Sequence, residues 1–499
     1  MIHVRRTPAS RVARFDGAGQ ASISHRALTF LALLLVSSAR AADAPQWGAA
    51  WTRNQISAEK GLAGSFDPRA GKNVRWVAEL GTQTHSTPVI ARGKVYIGTN
   101  NERPRDPRHS GDRGVLVCLD EKTGALLWQL VVPKLDEDPY LDWPFSGISS
   151  PATVEEDRVY IVSNRGEVLC LDANGLADGN DGPYREEGRH MVPEESSALE
   201  PGPLDADILW RFDLAADAGI WPHDAAHSSI LIRGDHLYLN TGTGVDNTHR
   251  KIRTPDAPSL VVLDKRTGRY LAREREGIAP TIFHSTWSAP SMARVGDREL
   301  IFFAAGNGIV YAFAPLATTP PPGEIATLEK VWQFDIDPGA PKSNVHEYNQ
   351  NRKESPSNVY GMPVFHDGRL FVASGGDLWW GKREARIQCI DVSAEPDAKK
   401  DITRAGLIWA RDLERHVMST PAIHDGIVYI ADARRMIYAL DERSGEVIWT
   451  HEAKGEFWAS PYVADGKVHI GSRRGDFYIL RAGRTKEVLT EIDFGVPIS

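Results

Sequence analysis

The chain has 499 residues, 41% of them hydrophobic, with 66 acidic against 58 basic side chains and a net charge of −8. With a sequence pI near 6.1 it lacks the basic footprint of a nucleic-acid-binding protein, so no nucleic-acid partner is expected. Past the N-terminus no apolar run approaches the roughly 20 residues needed to span a bilayer, which excludes a transmembrane segment from the expected mature chain.

In chain order, Arg5, Arg6, Arg11, Arg14 and Arg26 precede the apolar run 27–36, and Ala39-Arg40-Ala41 supplies a small-x-small cleavage site. Residues 1–41 are read as a signal peptide, which implies a periplasmic or secreted protein maturing near Ala42. Arg5-Arg6 lacks the surrounding pattern of a twin-arginine signal, and no cysteine at the cleavage site offers a lipid anchor. Residues 42–72 form an N-terminal extension. Residues 73–80 then read as an orphan strand carrying Trp76.

Seven similar units follow, at 84–133, 147–214, 223–276, 283–336, 357–413, 417–452 and 457–492. The last two repeat each other directly: Pro421 matches Pro461, Val428-Tyr429-Ile430 matches Val468-His469-Ile470, and Leu440 matches Leu480, each forty residues on. Each unit opens on a Ser-x-Pro-like lead into an apolar strand and continues through an Asp-Gly or Arg-Gly-Lys turn into a Val-Tyr-Ile run. A third run ends at Leu-Asp, and a Thr-Gly or Ser-Gly turn leads to a strand with Trp. Four strands per roughly 40–50 residues is the period of a propeller blade. The expected fold is therefore an all-β propeller over 73–499, with seven full four-stranded blades and the orphan Trp strand of an incomplete eighth. Trp76 to Pro88, Trp409 to Pro421 and Trp449 to Pro461 are each twelve residues apart, and the forty-residue offset carries the next Pro past Ser499. The closing strands of the eighth blade are thus expected to be missing from this chain, the alternative being a seven-bladed ring with Trp76 on a loosely paired edge.

Cys118, Cys170 and Cys389 occupy the same third-strand slot on different blades, too far apart to bridge, and are expected to be small buried hydrophobes.

Chemistry is expected where the leads into the innermost strands converge on one mouth of the channel. Those leads carry His85, Trp143, Trp221, His223, Asp224, His227, His284, Trp287, His416 and Trp458, a set suited to an aromatic, imidazole-lined ligand pocket. Trp379 and Trp380, in Gly-Gly-Asp-Leu-Trp-Trp-Gly, are candidate stacking platforms. His223, Asp224 and His227 are metal-ligand types, but their spacing needs a helix and the context is a strand entrance, so no metal site is assigned there. Asp178, Asn180 and Asp181 are weak calcium candidates, lacking the regular oxygen ligands of a calcium loop. They lie in the second of three insertions, at 136–143, 172–207 and 344–352, expected to build a surface above the ring.

The blade endings Leu119-Asp120-Glu121-Lys122-Thr123-Gly124-Ala125-Leu126-Leu127-Trp128 and Leu440-Asp441-Glu442-Arg443-Ser444-Gly445-Glu446-Val447-Ile448-Trp449 resemble the tryptophan-docking repeat of the pyrroloquinoline quinone (PQQ) repeat propellers. These include the quinoprotein alcohol dehydrogenases and non-catalytic relatives such as BamB, and the resemblance covers nearly all of the mature chain. It implies either a non-catalytic binding or scaffold module, expected to be a monomer facing an envelope protein or polymeric ligand, or a calcium- and PQQ-dependent oxidoreductase acting on alcohols or sugars. Catalytic members stack PQQ between a tryptophan and a disulfide of adjacent cysteines, beside calcium held by Glu and Asn. No two cysteines are adjacent here, and no residue is assigned as catalytic. Asp224, Asp246, Asn247 and Glu347 are the oxygen donors whose convergence on the axis would favour the enzyme.

Overall fold

The computed structural model describes residues 42–135, 142–224 and 229–498. The signal-peptide reading, residues 136–141 of the first insertion, and His227 lie outside them. Seven sheets follow one another along the chain, each built on four antiparallel strands; Ile56–Ser57 and Ala326–Thr327 add parallel edge pairs to the seventh and third, and Ser357–Asn358 pairs Arg369–Gly376 alongside Val364–His366 in the fifth. The first strands of the blades are Val89–Ala91, Thr153–Glu155, Leu231–Arg233, Ser291–Val295, Val364–His366, Ala422–His424 and Tyr462–Ala464. Every expected blade is thus a sheet. Buried apolar clusters join neighbouring blades: Tyr96 and Trp128 of blade 1 with Val159 and Leu169 of blade 2, and Phe371 and Trp409 of blade 5 with Val428 and Tyr438 of blade 6. The protein is held by several interblade cores rather than one centre, which is how a chain this long stays a single unit.

The repeated Leu-Asp-x-x-(Thr/Ser)-Gly motif has a local physical cause. Asp120 Oδ1 accepts from the amides of Lys122 and Thr123 and from the Thr123 hydroxyl, and Asp264 and Asp441 repeat this turn. The turn ends on a glycine at positive φ, +73° at Gly124, +72° at Gly268 and +69° at Gly445. The bare glycine lets the indole of the preceding blade lie flat on the turn: a Cβ on Gly268 would stand 2.5 Å from Trp210, and one on Gly445 2.5 Å from Trp409. Each indole then donates to a carbonyl beside the turn, Trp128 Nε1 to Ala173 O at 2.9 Å, Trp210 to Lys265 O at 3.1 Å and Trp409 to Glu442 O at 3.0 Å. Replacing Gly445 with alanine combines a left-handed backbone with that clash, and should cost roughly 2–4 kcal/mol in denaturant unfolding. A change below about 0.5 kcal/mol, the ordinary scatter of surface substitutions, would show that the docked tryptophan is not what joins blades 5 and 6.

The three cysteines are free and buried. Cys118, Cys170 and Cys389 each sit directly across the ladder from the docking tryptophan, Trp128, Trp210 and Trp409. Trp76 docks on blade 1 like the others, donating to Glu121 O at 2.9 Å, but residues 73–80, expected as a strand, form no ladder with the described residues. On the other flank Phe66 packs against Phe477 and Phe494 of blade 7.

The N-terminal extension does what no repeat predicts. The amides of Ile90, Val154, Met292, Phe365 and Val463, one from the first strand of each of five blades, donate to the carbonyls of Ala44, Pro45, Trp51, Thr52 and Gln55 in that order. Ile423 N of blade 6 donates to Asn54 Oδ1 at 2.9 Å, and Trp51 Nε1 reaches Ile232 O of blade 3 at 3.0 Å. Residues 44–55 extend at most about 40 Å. So short a segment can touch all seven first strands, in blade order, only if these converge closely around it. It therefore plugs the channel and satisfies the inward-facing strand edges.

Candidate functional site

The mouth lies at the leads into those same strands, upstream of the plug contacts. His284 leads into blade 4 and is buried. Its Nδ1 bonds Asp377 Oδ2 at 2.8 Å, and its Nε2 stands 3.1 Å from His223 Nε2. His223, wholly buried on the lead into blade 3, bonds Val245 O through Nδ1 at 2.7 Å. His249, from the long connection between the second and third strands of blade 3, closes the group, its ring centre 4.8 Å from His223 and 5.0 Å from His284. Asp224 Oδ1 lies 3.6 Å from His223 Nε2, and Asp224 Oδ2 3.6 Å from His284 Nε2.

Asp377 anchors this group. Its Oδ1 accepts from the amides of Trp379 and Trp380 at 3.0 and 2.8 Å, and its Oδ2 accepts from Tyr360 Oη at 2.7 Å as well as from His284. Burial opposes ionisation of this carboxyl, but the charge and hydrogen bond of His284, with Tyr360 and the Trp380 amide, hold it down to about 2. Burial alone would lower His284; Asp377 and Asp224 raise it above the ordinary imidazole value. His223 is pushed well below that value by burial and by its two histidine neighbours. Burial pushes Asp224 up to about 6.

An aromatic wall stands over the imidazoles. Trp287 lies 5.0 Å from His284 and 4.7 Å from Tyr360; Trp379 lies 5.6 Å from His284 and 6.0 Å from Trp458; Trp380 lies 4.9 Å from His249. Trp379 is 39% exposed and forms the open side. Beside it, a cavity of about 580 Å³ is lined by Arg352, Arg383, Arg415, Arg434, Arg435 and Lys454, with Glu456 the acidic group among its lining residues. Arg434, Arg435 and Lys454 pair with Glu414, Glu452 and Glu491, while among the described residues neither Arg383 nor Arg415 has a carboxylate in salt-bridge range.

Of the residues singled out from sequence, His223, Asp224, His284, Trp287, Trp379, Trp380 and Trp458 share this one network, drawn from blades 3, 4, 5 and 7. His416 is buried against Lys382 O at 2.8 Å and lines the cationic cavity. Trp221 is covered by Arg253 at 3.9 Å, and His85 and Trp143 lie exposed on the leads of blades 1 and 2, the His85 imidazole lowered by burial and then by Arg473, which stacks on Trp458 at 3.7 Å. The calcium candidates are engaged within the protein: Asp178 with Asn174, Asn180 with Arg185, and the Asp181 amide with Asp207. Asp246 accepts from Thr248 in its own turn, and among the described residues neither Asp246 nor Glu347 joins a cluster of possible metal ligands. The third insertion serves the site instead, Asn349 holding His249 O at 2.8 Å and the Gln350 amide holding Trp380 O at 2.8 Å.

Sequence reading missed His249 and Asp377. An aspartate two and three residues before Trp379 and Trp380 is the signature of a side-chain turn, and that signal marked Asp377. Nothing local marks His249.

A family model described as outer membrane protein assembly factor BamB matches residues 112–176 and 401–493. Among solved structures, BamB from Moraxella catarrhalis superposes with a TM-score of 0.50 at 11% identity, over 84% of this chain and 91% of that one. The quinohemoprotein alcohol dehydrogenase ADHIIG from Pseudomonas putida gives a TM-score of 0.47 at 14% identity, over 88% and 76%. No curated protein sequence matches.

Proposed function

We propose that this chain, a PQQ-like repeat β-propeller that resembles BamB in its repeats and its ring of blades, is a binding or scaffold module of the cell envelope whose ligand enters at the His/Trp-rich mouth. The observation that carries this reading is the cationic cavity beside Trp379, which stands out on a chain whose net charge is −8. Arg383 and Arg415, unpaired with carboxylates, face a space large enough for a sugar or peptide segment, and the exposed Trp379 offers a stacking face beside it. The ligand is accordingly an envelope protein or polymer presenting carboxylates or phosphates. Among the described residues no helix is long and apolar enough to cross a membrane.

The residues do not fit a PQQ and calcium pair. The cysteines lie singly on three blades, so no disulfide of adjacent cysteines can cover a quinone. Calcium takes six to eight oxygen ligands, whereas the donors gathered at the mouth are chiefly imidazole nitrogens.

Polygalacturonate serves as a probe polyanion. It should bind the full chain with an affinity that falls as salt rises, and the double variant Arg383→Ala/Arg415→Ala should bind about thirtyfold more weakly, from roughly 1 kcal/mol per charge contact. In parallel, titration with PQQ should give no calcium-dependent change in indole fluorescence. Calcium-dependent saturation at micromolar PQQ would instead establish the oxidoreductase reading.

A further inference from the structure

We propose that His223, His249, His284 and Asp224 form a binding site for a first-row divalent transition metal ion, with zinc as the simplest occupant. The site lies in the wall of the same mouth and rests on the reading that this is the working face of the ring.

The argument begins with which nitrogens are available. A neutral imidazole carries its proton on one nitrogen and a lone pair on the other. The hydrogen bond from His223 to Val245 O fixes that proton on Nδ1, since a carbonyl only accepts. The bond from His284 to the Asp377 carboxylate does the same there. Both remaining lone pairs, on Nε2, then point at each other across 3.1 Å. Two facing lone pairs repel unless a cation lies between them. A metal ion bound by both nitrogens meets that requirement. A backbone carbonyl behind one ligand and a carboxylate behind the other is the outer-shell arrangement that orients metal-binding histidines.

The distances fit. In a tetrahedral site with metal–nitrogen bonds of about 2.0–2.1 Å, ligand atoms stand roughly 3.3 Å apart. Here the two Nε2 atoms are 3.1 Å apart, and the Asp224 carboxylate spans them, Oδ1 lying 3.6 Å from His223 Nε2 and Oδ2 3.6 Å from His284 Nε2. One nitrogen of His249 completes the set, the three imidazole donors all lying within 4.8 Å of one another. Asp224 Oδ1 is buried with no hydrogen bond. Asp224 and His249 also adopt left-handed backbone at φ 59° and 56°, a strain that gathers at sites where a side chain must be aimed. Three nitrogens and one carboxylate oxygen select zinc, copper or cobalt over calcium or magnesium. The other convergence of such side chains, Asp106, His109 and Asp205, is unlike this one because Arg108 already bridges its two carboxylates.

The full mature chain, stripped with a chelator, should take up one Zn²⁺ or Co²⁺ per molecule. The cobalt form should show the visible absorption of a four-coordinate ion, and the melting temperature should rise with stoichiometric zinc. His249→Ala and the near-isosteric Asp224→Asn should each weaken uptake at least tenfold while leaving the metal-free melting temperature within a few degrees of the parent. Substoichiometric uptake, uptake that neither variant changes, or uptake of calcium in preference to zinc would each overturn the assignment. Polygalacturonate retention through Arg383 and Arg415 is read separately, so either result can fail alone.

Discussion

Arg53→Met is expected to destabilise the protein by on the order of 3–5 kcal/mol, the largest loss available from a residue outside the blades. Arg53 has no solvent exposure, and among the described residues no carboxylate pairs with it. Its guanidinium is solvated by protein oxygens: Nε by Pro290 O at 3.0 Å, Nη2 by Ser229 O at 3.0 Å, and Nη1 by Ser229 Oγ at 3.0 Å and Trp47 O at 3.2 Å. Burial pushes the group down to about 9, which still leaves it cationic at neutral pH. Methionine fills similar volume and removes the cost of burying a charge, but it strands the carbonyls of Ser229 and Pro290, on the leads into blades 3 and 4, and that of Trp47 in the extension. The stranded acceptors decide the sign, because each unsatisfied buried polar group costs about 1–3 kcal/mol. Arg53→Lys keeps the charge but loses the fork, and should fall between the two. Guanidinium unfolding followed by tryptophan fluorescence checks this series; a methionine variant as stable as the parent would mean that the extension is laid on the ring without holding it together.

Asp377→Ala should cost a similar 3–5 kcal/mol and, unlike the Arg53 change, should dismantle the mouth. Four donors lose their acceptor at once: His284 Nδ1, Tyr360 Oη and the amides of Trp379 and Trp380. The loop carrying both indoles is released from the imidazoles, so the near-ultraviolet circular dichroism of the tryptophans should weaken along with polygalacturonate binding. Asp377→Asn preserves the shape and one acceptor oxygen, which keeps the two amides satisfied while turning an N–H toward His284 and Tyr360. It should lose roughly half as much stability. If alanine cost less than about 1 kcal/mol, some other contact would have to be holding Trp379 and Trp380 in place.

The blades were legible in the amino-acid sequence. The Asp turn, its left-handed glycine and the docking tryptophan interact within one blade or between neighbours, and each blade repeats them, so they are legible as a period in the chain. The seven sheets, the slot shared by the cysteines and the docking role of Trp76 all follow from that short-range grammar. The local grammar also marked His223, His284, Trp287 and Trp458 as lying at one level of the ring, because equivalent leads occupy equivalent heights. What those side chains do there depends on contacts made between distant parts of the chain. His223 meets His284 across 61 residues and His284 meets Asp377 across 93, contacts that no periodicity encodes. The plug is the extreme case: residues 44–55 have no repeat of their own, and their conformation is dictated by seven strand edges that exist only once the blades have assembled around the axis.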